Sequence, residues 1–369
     1  MFNPSRLSLA RRRRKFTKKA LAETLGCDQK TIIRYESGEA EPPEDSLNAL
    51  STVLNFPVAF FSGNDIDEPQ PEAVSFRSMS TMSARERDAA LAAGAFSFIL
   101  SDWVDARFHL PSHDLIDCKD SSDPEAVARV LREKWGLGDR PITNMVHLLE
   151  AKGVRVFSLA ENTKTVDAFS MWRRETPYVF LNTFKTSERS RFDAAHELGH
   201  LVLHKHGGPQ GGRVVEDEAN QFASSFLMPE GDVKARLPRV NAVNQIVEAK
   251  KRWRVSVAAL NYRLHRLGIT TDWQYRNFSI QISQQFRQSE PYSVERETSV
   301  VWDKVLQMLR ADGMTKHAVA SALSLPVVEF DNLVFRLTNY HSIEGSGAIP
   351  GKSKAKLSIV EPSDEKCPR

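Results

Sequence analysis

The sequence predicts a mostly α protein that also contains a small β-sheet, an α+β fold divided into several units. Apolar residues recur three and four apart over residues 5 to about 62, in stretches between 83 and 152, and again beyond 187, which is the helical period. Between residues 154 and 181 the pattern changes to short segments rich in β-branched and aromatic residues, so a small sheet is expected there. A length of 369 residues, at roughly 100 to 200 residues per domain, favours two or three folded units.

The N-terminal helices are short and joined by tight turns. Thr17 is expected to cap a helix that ends at Gly26, and Asp28 to cap the helix that follows. This region is strongly basic, since residues 1–35 hold ten lysines and arginines against two acidic residues. Such a cluster forms either a surface that faces phosphates or a solvated tail.

The later elements follow from the same signals. Asp123 and Pro124 mark a helix start, and Pro229 stops a helix. The expected strands are Val154–Phe157, Asp167–Trp172 and Tyr178–Leu181. The expected helices are 83–108, 123–135, 142–152, 187–205 and 215–228, with helical hairpins at 241–268 and 296–340.

The domain limits follow from segments that lack a helix or strand pattern. An acidic, proline-bearing segment over 64–82 is expected to be a linker, and the Gly-, Ser-, Lys- and Pro-rich end of the chain a flexible tail. We therefore expect an all-α domain at 1–63, a second domain at 83–240, a helical C-terminal region at 241–340 and the tail at 341–369.

The composition excludes several classes of protein. With 41% hydrophobic and 26% charged residues, no run approaches the ~18 apolar residues of a membrane span, so no membrane partner is expected. The basic run Arg11–Lys15 is followed by no apolar segment, which argues against a secretory signal and for a cytoplasmic location. Cys27, Cys118 and Cys367 show no CxxC spacing, so neither a disulfide framework nor a cysteine zinc site is expected.

A pair of histidines predicts a metal centre. His196 and His200 are four residues apart on a predicted helix, so their imidazoles lie on one face and can bind one ion. A catalytic zinc ion usually has three protein ligands and a water molecule, so a third ligand must come from elsewhere. On the next helix Glu216 is in line with the apolar stripe, whereas Glu218 lies off it. We expect His196, His200 and Glu216 to bind Zn²⁺, with Mn²⁺ as the alternative metal.

Three further residues are assigned around this centre. Glu197 is expected to be the general base, taking a proton from the metal-bound water and returning it to a leaving amine. Asn220, one turn beyond the third ligand, could orient a ligating histidine. His204 either has a similar supporting role or satisfies carbonyl groups at the helix end. The alternative for the whole motif is that its histidines are ordinary helix residues.

The residues of this motif resemble a known family. The run Arg191–His204, together with Glu216–Ala223 and Phe226–Pro229, resembles the ImmA/IrrE family of zinc metallopeptidases over roughly 150–270. The resemblance implies a zincin-like fold, the same three ligands with Glu197 as base, and cleavage of a helix-turn-helix repressor at a defined peptide bond. It also implies that Tyr178–Leu181, the strand before the active-site helix, is an edge strand that pairs with extended substrate.

The N-terminal helices resemble the Xre/Cro family of helix-turn-helix domains. The resemblance rests on the spacing from Lys18 through Gly26 to Gly38, and it implies a recognition helix in the major groove. Ile32 and Ile33 are expected to pack inward, and the Arg11–Lys15 run to reach phosphates. The residues expected to contact DNA are Lys18, Gln29, Lys30, Thr31 and Arg34. A helical hairpin used only for protein contacts is the alternative.

Together these features predict a cytoplasmic transcriptional regulator with a zinc endopeptidase domain that cuts a repressor or its own linker. Its expected partners are a double-stranded DNA operator, a protein substrate and a second copy of the chain. Two alternatives remain: the zinc domain is a non-proteolytic sensor or dimerisation module, or the chain is an antitoxin-like regulator. The helices over 296–340 faintly echo residues 17–28 and favour interaction or oligomerisation rather than DNA binding.

Overall fold

A computed structural model describes residues 1–70, 75–76, 83–118, 123–159, 168–205, 212–287 and 289–338. Contacts divide them into two compact units, of which the first holds the described residues of 1–70, 83–112 and 300–338. The second unit holds 75–76 and the described residues of 113–299. None of the described helices combines the length and apolar character that a membrane crossing requires.

The described elements confirm a mostly α fold with one small sheet. The helices are α1 (Pro4–Arg13), α2 (Lys18–Leu25), α3 (Gln29–Ser37), α4 (Glu44–Leu54), a 3₁₀ helix (Val58–Ser62), α5 (Ala84–Asp105), α6 (Pro124–Lys134), α7 (Met145–Ala151), α8 (Ser187–Leu203), α9 (Arg213–Leu227), α10 (Glu230–Arg236), α11 (Val243–Trp253), α12 (Val257–Arg266), α13 (Asp272–Gln285), α14 (Val300–Ala311), α15 (Lys316–Ala322) and α16 (Val327–Val334). The strands are β1 (Ser75–Phe76), β2 (Arg155–Ser158), β3 (Phe169–Arg173) and β4 (Thr176–Leu181).

The turn between α2 and α3 forms as the sequence predicts. Thr17 Oγ1 accepts a hydrogen bond from the Ala20 amide at 3.0 Å and caps α2. Gly26 ends that helix with a φ of 69°, a left-handed conformation that glycine adopts without a steric penalty. Asp28 Oδ1 then accepts from the Lys30 amide at 2.7 Å and caps α3.

The inner face of α3 differs from the expectation at one position. Ile32 is fully buried, but Ile33 is 40% exposed, so the prediction that both isoleucines pack inward is wrong for Ile33. Tyr35 takes the second inner position instead. It follows Ile32 by three residues and therefore shares its face, whereas the next residue along a helix is rotated by about 100°.

Helices from distant parts of the chain complete the core of the first unit. α1 packs against α3, α5 and the 3₁₀ helix, and α16 packs against α5. The rings of Phe56 and Phe60 lie 5.6 and 6.0 Å from that of Phe96 on α5. Glu329 of α16 accepts a hydrogen bond from Arg13 Nε at 2.8 Å and also pairs with Arg14. The N-terminal helices therefore do not close their core alone.

The sheet of the second unit has the order β1-β3-β4-β2. β3 is antiparallel to both β1 and β4, while β2 pairs parallel to β4. The prediction that Tyr178–Leu181 is an edge strand is therefore wrong, because β4 has a neighbour on each side. The family resemblance suggested an edge position, but β4 lies between β3 and β2, and β2 pairs along its far side.

The remaining expectations fall partly outside the described residues. The linker 64–82 is described only at 64–70 and 75–76, and Asp167, Cys367 and the tail 341–369 lie outside the described part. Contacts group α5 and α14–α16 with the N-terminal helices, while the expected functional limits of the domains stay a prediction. α13 was not predicted. Its outer face exposes Trp273 and Ile280, which obscures the apolar period.

Candidate metal centre and nucleic-acid interface

Helix α8 carries the two histidines of the candidate metal centre. The helix is capped by Thr186, whose Oγ1 accepts a hydrogen bond from the Arg189 amide at 3.3 Å. Residues four apart on a helix share a face, and the Nε2 atoms of His196 and His200 lie 3.0 Å from each other. Both side chains are buried, at 0% and 4% exposure. Local helical geometry is therefore enough to bring these two nitrogens together.

The third residue of the centre comes from α9, which approaches α8 closely at Gly199. A Cβ atom at this position would lie 3.1 Å from Phe222 Cδ1 and 3.3 Å from the Ala219 Cα, so a larger residue would push the helices apart. The close approach brings in Glu216 from the first turn of α9. Its Oε2 lies 3.3 Å from His196 Nε2, and its Oε1 lies 3.4 Å from His200 Nε2.

The three side chains fit a tetrahedral metal ion. Metal–ligand bonds of about 2.1 Å in tetrahedral geometry place ligand atoms about 3.3 to 3.4 Å apart. The separations in this group are 3.0, 3.3 and 3.4 Å. Two imidazoles and one carboxylate suit Zn²⁺ better than Mg²⁺ or Ca²⁺, which prefer oxygen ligands. Glu216 Oε2 is buried and has no hydrogen-bond partner among the described residues, which leaves it available to an ion.

The charge of Glu216 also suits a ligand. Burial raises its pKa, but the facing imidazoles of His196 and His200 lower it by more, so the pKa lies well below the ordinary value for a glutamate. Glu216 is therefore a carboxylate at neutral pH. The carboxylate is the form in which a glutamate side chain binds a metal ion.

A second layer of side chains holds the histidine rings. Asn220 Oδ1 lies 3.2 Å from His196 Nδ1 and can accept a hydrogen bond from it, which fixes the tautomer whose Nε2 lone pair faces the other two ligand residues. On the other ring, His200 Nδ1 lies 3.1 Å from His204 Nδ1, and His204 Nε2 lies 3.0 Å from Glu218 Oε2. Glu218 therefore reaches His204 rather than the ligand group. The sequence analysis missed that Glu218 ends this series of hydrogen bonds, because it considered only the position of Glu218 relative to the apolar stripe.

Glu197 is buried on α8 next to the first histidine, and β3 provides a partner for it. Ser170 Oγ of β3 donates a hydrogen bond to Glu197 Oε2 at 2.6 Å. Trp172 Nε1 of the same strand donates to the Leu201 carbonyl at 3.1 Å and ties β3 to α8. Sequence reasoning missed Ser170. The available signal was a small polar residue inside an otherwise apolar strand, Phe169–Trp172.

On the helix-turn-helix unit, the residues expected to contact DNA lie mostly on one exposed face. Gln29, Lys30 and Arg34 of α3 are exposed and Thr31 is half-buried. No described carboxylate pairs with Lys30 or Arg34. Lys18 differs, because its Nζ lies 3.2 Å from Glu36 Oε2. The exposed face of α3 thus offers two free cations and one amide to a ligand in front of it.

The four arginines of the basic run, Arg11 to Arg14, all form ion pairs within the first unit. Arg11 Nε donates to Glu36 Oε1 and Arg12 Nη2 to Glu68 Oε2, each at 2.6 Å. Arg13 and Arg14 both pair with Glu329. The expectation that this run reaches phosphates stays a prediction, and it requires these four arginines to leave their carboxylates. Their guanidinium groups bind carboxylates of the same unit, two of which come from outside the three N-terminal helices.

The fold and the two sites thus define two parts of one chain. The first is a helix-turn-helix unit, and the second contains a pair of helices whose histidines and glutamate form a candidate metal site. Comparison with family models agrees with both parts. Residues 149–265 match the IrrE N-terminal-like domain of the peptidase M78 family, and residues 7–61 match a helix-turn-helix domain. These two regions of the chain are therefore similar to a peptidase-family domain and to a helix-turn-helix domain. A search of curated proteins found no match to this chain.

Proposed function

We propose that this protein is a transcriptional regulator whose zinc-dependent endopeptidase domain cuts a helix-turn-helix repressor, or the chain itself, to switch gene expression. The observation that carries the proposal is the convergence of His196, His200 and Glu216, with ligand atoms within 4.8 Å of one another. Glu197 stands beside this group on the same helix. The peptidase family match supports the same reaction class.

In the proposed reaction, His196, His200 and Glu216 hold Zn²⁺, or Mn²⁺ as the alternative. When bound, the ion lowers the pKa of a water molecule to about 7 and polarises the peptide carbonyl. Glu197 takes the proton from the attacking water and delivers it to the leaving amine. Ser170 holds the Glu197 carboxylate through its 2.6 Å hydrogen bond, which fixes the base against β3.

The supporting residues keep the ligands in their binding form. Asn220 and His204 each face an Nδ1 atom of a ligating ring, which directs the Nε2 lone pair of that ring towards the ion. Glu218 extends the second of these contacts and makes His204 a better acceptor. Burial of Glu197, which is 1% exposed, keeps bulk water away from the base.

The helix-turn-helix domain is proposed to bind a double-stranded operator through Lys18, Gln29, Lys30, Thr31 and Arg34. Gln29 and Arg34 can form two hydrogen bonds with a base edge, and Lys30 can neutralise a phosphate. The exposed face of α3 supports this assignment. Lys18 would have to leave Glu36 to reach DNA, so it is the weakest contact of the five.

Glu197→Gln tests the proteolytic part of the proposal. The amide cannot accept a proton, so we expect cleavage of a helix-turn-helix repressor to fall by at least about 10²-fold. The metal ligands are untouched, and zinc content measured by mass spectrometry should stay at the wild-type level. Unchanged regulation of a target promoter by the zinc-bound variant would overturn the proteolytic account and favour a sensor or dimerisation role.

A further inference from the structure

Strand β1 comes from the segment that joins the helix-turn-helix domain to the peptidase domain. Its two residues pair antiparallel with β3, with Ser75 opposite Ser170 and Phe76 opposite Phe169. The strand belongs to the second unit, whereas the described chain just before it, up to residue 70, belongs to the first. A piece of the linker thus forms one edge of the sheet that borders the candidate active site.

The edge that β1 occupies is the one next to the general base. Ser170 of β3 contacts both the carboxylate and the backbone carbonyl of Glu197, at 2.6 and 3.3 Å. β4 has both of its edges paired, and β2 is separated from β3 by β4. Because neighbouring strands lie about 4.8 Å apart, the outer edge of the sheet at β2 is roughly 10 Å further from Ser170. Among the described strands, the edge of β3 that β1 occupies is therefore the edge along which an extended chain comes close to Glu197.

We propose that the linker around Ser75–Phe76 is a substrate of the peptidase, so that the protein cuts itself at a peptide bond in or beside β1. The proposal rests on the proposed function, since it requires a working peptidase. In the reaction the oxygen of water bonds to the scissile carbonyl carbon and the C–N bond breaks. Glu197 moves one proton from the water to the departing nitrogen, and the products are a new carboxyl group and a new amino group.

Because the linker belongs to the same chain, it should occupy the edge of β3 more fully than its two-residue pairing suggests. A two-residue strand forms few backbone hydrogen bonds, and the same peptide as a separate molecule would bind weakly. Attachment to the same chain changes this, because short flexible tethers give effective concentrations in the millimolar range. A repressor supplied in trans would have to compete with that concentration for the edge of β3.

A cut at β1 would leave the two pieces associated. Residues before the cut still pack against α5 and α16, and Arg13 still pairs with the buried Glu329. We therefore expect the fragments to separate on a denaturing gel but to migrate together in native size-exclusion chromatography. Cleavage would break the covalent link to the helix-turn-helix domain without dissolving the first unit.

The test uses the full chain with stoichiometric zinc, followed by denaturing gel and intact mass over time. The wild type should yield two fragments whose new termini lie within a few residues of Ser75–Phe76. Glu197→Gln should stay intact while binding zinc. Ser75→Pro removes a backbone donor and fits an extended ladder poorly, so it should slow the cut at least about tenfold. Gln70→Pro places the same residue in the linker outside β1 and should be cut at the wild-type rate.

Hydrogen exchange gives a readout that does not depend on turnover. In zinc-loaded Glu197→Gln, the amide of Ser170, which faces β1, should be protected, and this protection should be lost when Ser75→Pro is added. The amide of Phe169 faces β4 and should be protected in both proteins. Equal exchange of the Ser170 amide in the two proteins would contradict the pairing on which the inference rests. Equal zinc content in both would exclude misfolding of the metal centre as the cause of any difference.

The outcomes separate this inference from the proposed function. A wild type that cuts a helix-turn-helix repressor in trans but keeps its linker intact overturns self-cleavage and leaves the peptidase proposal standing. If Ser75→Pro then accelerates cutting in trans, β1 is a blocking strand and not a substrate. A zinc-loaded wild type that cuts neither the linker nor a repressor overturns both proposals. Linker cleavage at an equal rate in Glu197→Gln would assign the cut to another protease.

Discussion

The metal centre and the helix-turn-helix unit use their charged residues in opposite ways. In the second unit, side chains from α8 and α9 converge, and three ligand atoms lie within 4.8 Å of one another with one buried oxygen left unsatisfied. In the first unit the guanidinium groups of the run 11–14 diverge, and each of these four arginines reaches a carboxylate of the same unit. The metal centre leaves a charged group facing the space that a ligand would occupy. The helix-turn-helix unit uses these arginines in ion pairs within the unit.

This difference follows from the range of the contacts involved. His196 and His200 are brought together by the period of one helix, so their relation depends only on local structure. The role of each arginine depends on where distant carboxylates lie, as when Glu329, more than 300 residues along the chain, pairs with Arg13 and Arg14. A cluster of charged residues in a sequence is therefore weak evidence for a binding surface. Two metal-ligand residues at helical spacing are stronger evidence for a metal site.

The largest expected effect is the loss of zinc from Glu216→Ala. Removal of one of three ligands should reduce zinc affinity by more than about 10²-fold, since loss of a mere supporting partner already costs 10- to 100-fold. Metal analysis of the purified protein should find far less than one equivalent. Glu218→Ala is the matched control, because it breaks only the contact with His204 and should keep stoichiometric zinc. If Glu218→Ala loses the metal and Glu216→Ala keeps it, the ligand assignment is wrong.

The next largest effect should come from Glu329→Ala in the other region. The change removes the buried carboxylate that pairs with Arg13, whose side chain is 7% exposed, and breaking such a pair typically costs about 3 to 5 kcal/mol. The thermal transition of the first unit should shift to lower temperature and the amides of α1 should exchange faster. Asp331→Ala is the control, since its exposed pair with Lys316 should contribute less than about 1 kcal/mol. If the two variants are equally stable, the claim that the buried ion pairs of Glu329 stabilise the first unit is wrong.

Much of the candidate site could be predicted from the sequence because it is local. The caps at Thr17 and Asp28 and the left-handed Gly26 follow from side-chain and backbone chemistry within a few residues. The approach of Glu216 was predicted from the apolar stripe of α9, since a residue on the buried face of one helix must meet its neighbour. These inferences needed no knowledge of how distant segments pack.

Two of the features that sequence reasoning missed are long-range. Ser170 contacts Glu197 only because β3 lies against α8, and β4 is internal only because it pairs with both β2 and β3. Nothing in the spacing of residues 154–181 fixes the order of strands in a sheet. The assignment of Ile33 to the core failed for a different reason. Ile32 and Ile33 are adjacent and point in different directions from the helix, and the sequence alone does not say which of the two faces the core.

The smallest expected effect concerns the salt dependence of DNA binding. Lys30 is exposed and no described carboxylate pairs with it, so Lys30→Ala should lower the slope of log affinity against log salt by about 0.9, the value for one phosphate contact. Arg12 is bound to Glu68 at 2.6 Å, so Arg12→Ala should leave that slope unchanged. Fluorescence anisotropy with a duplex at several salt concentrations measures both. An equal loss of slope in the two variants would mean that the ion pairs of α1 open on DNA, and the contrast between the two regions would then hold only for the free protein.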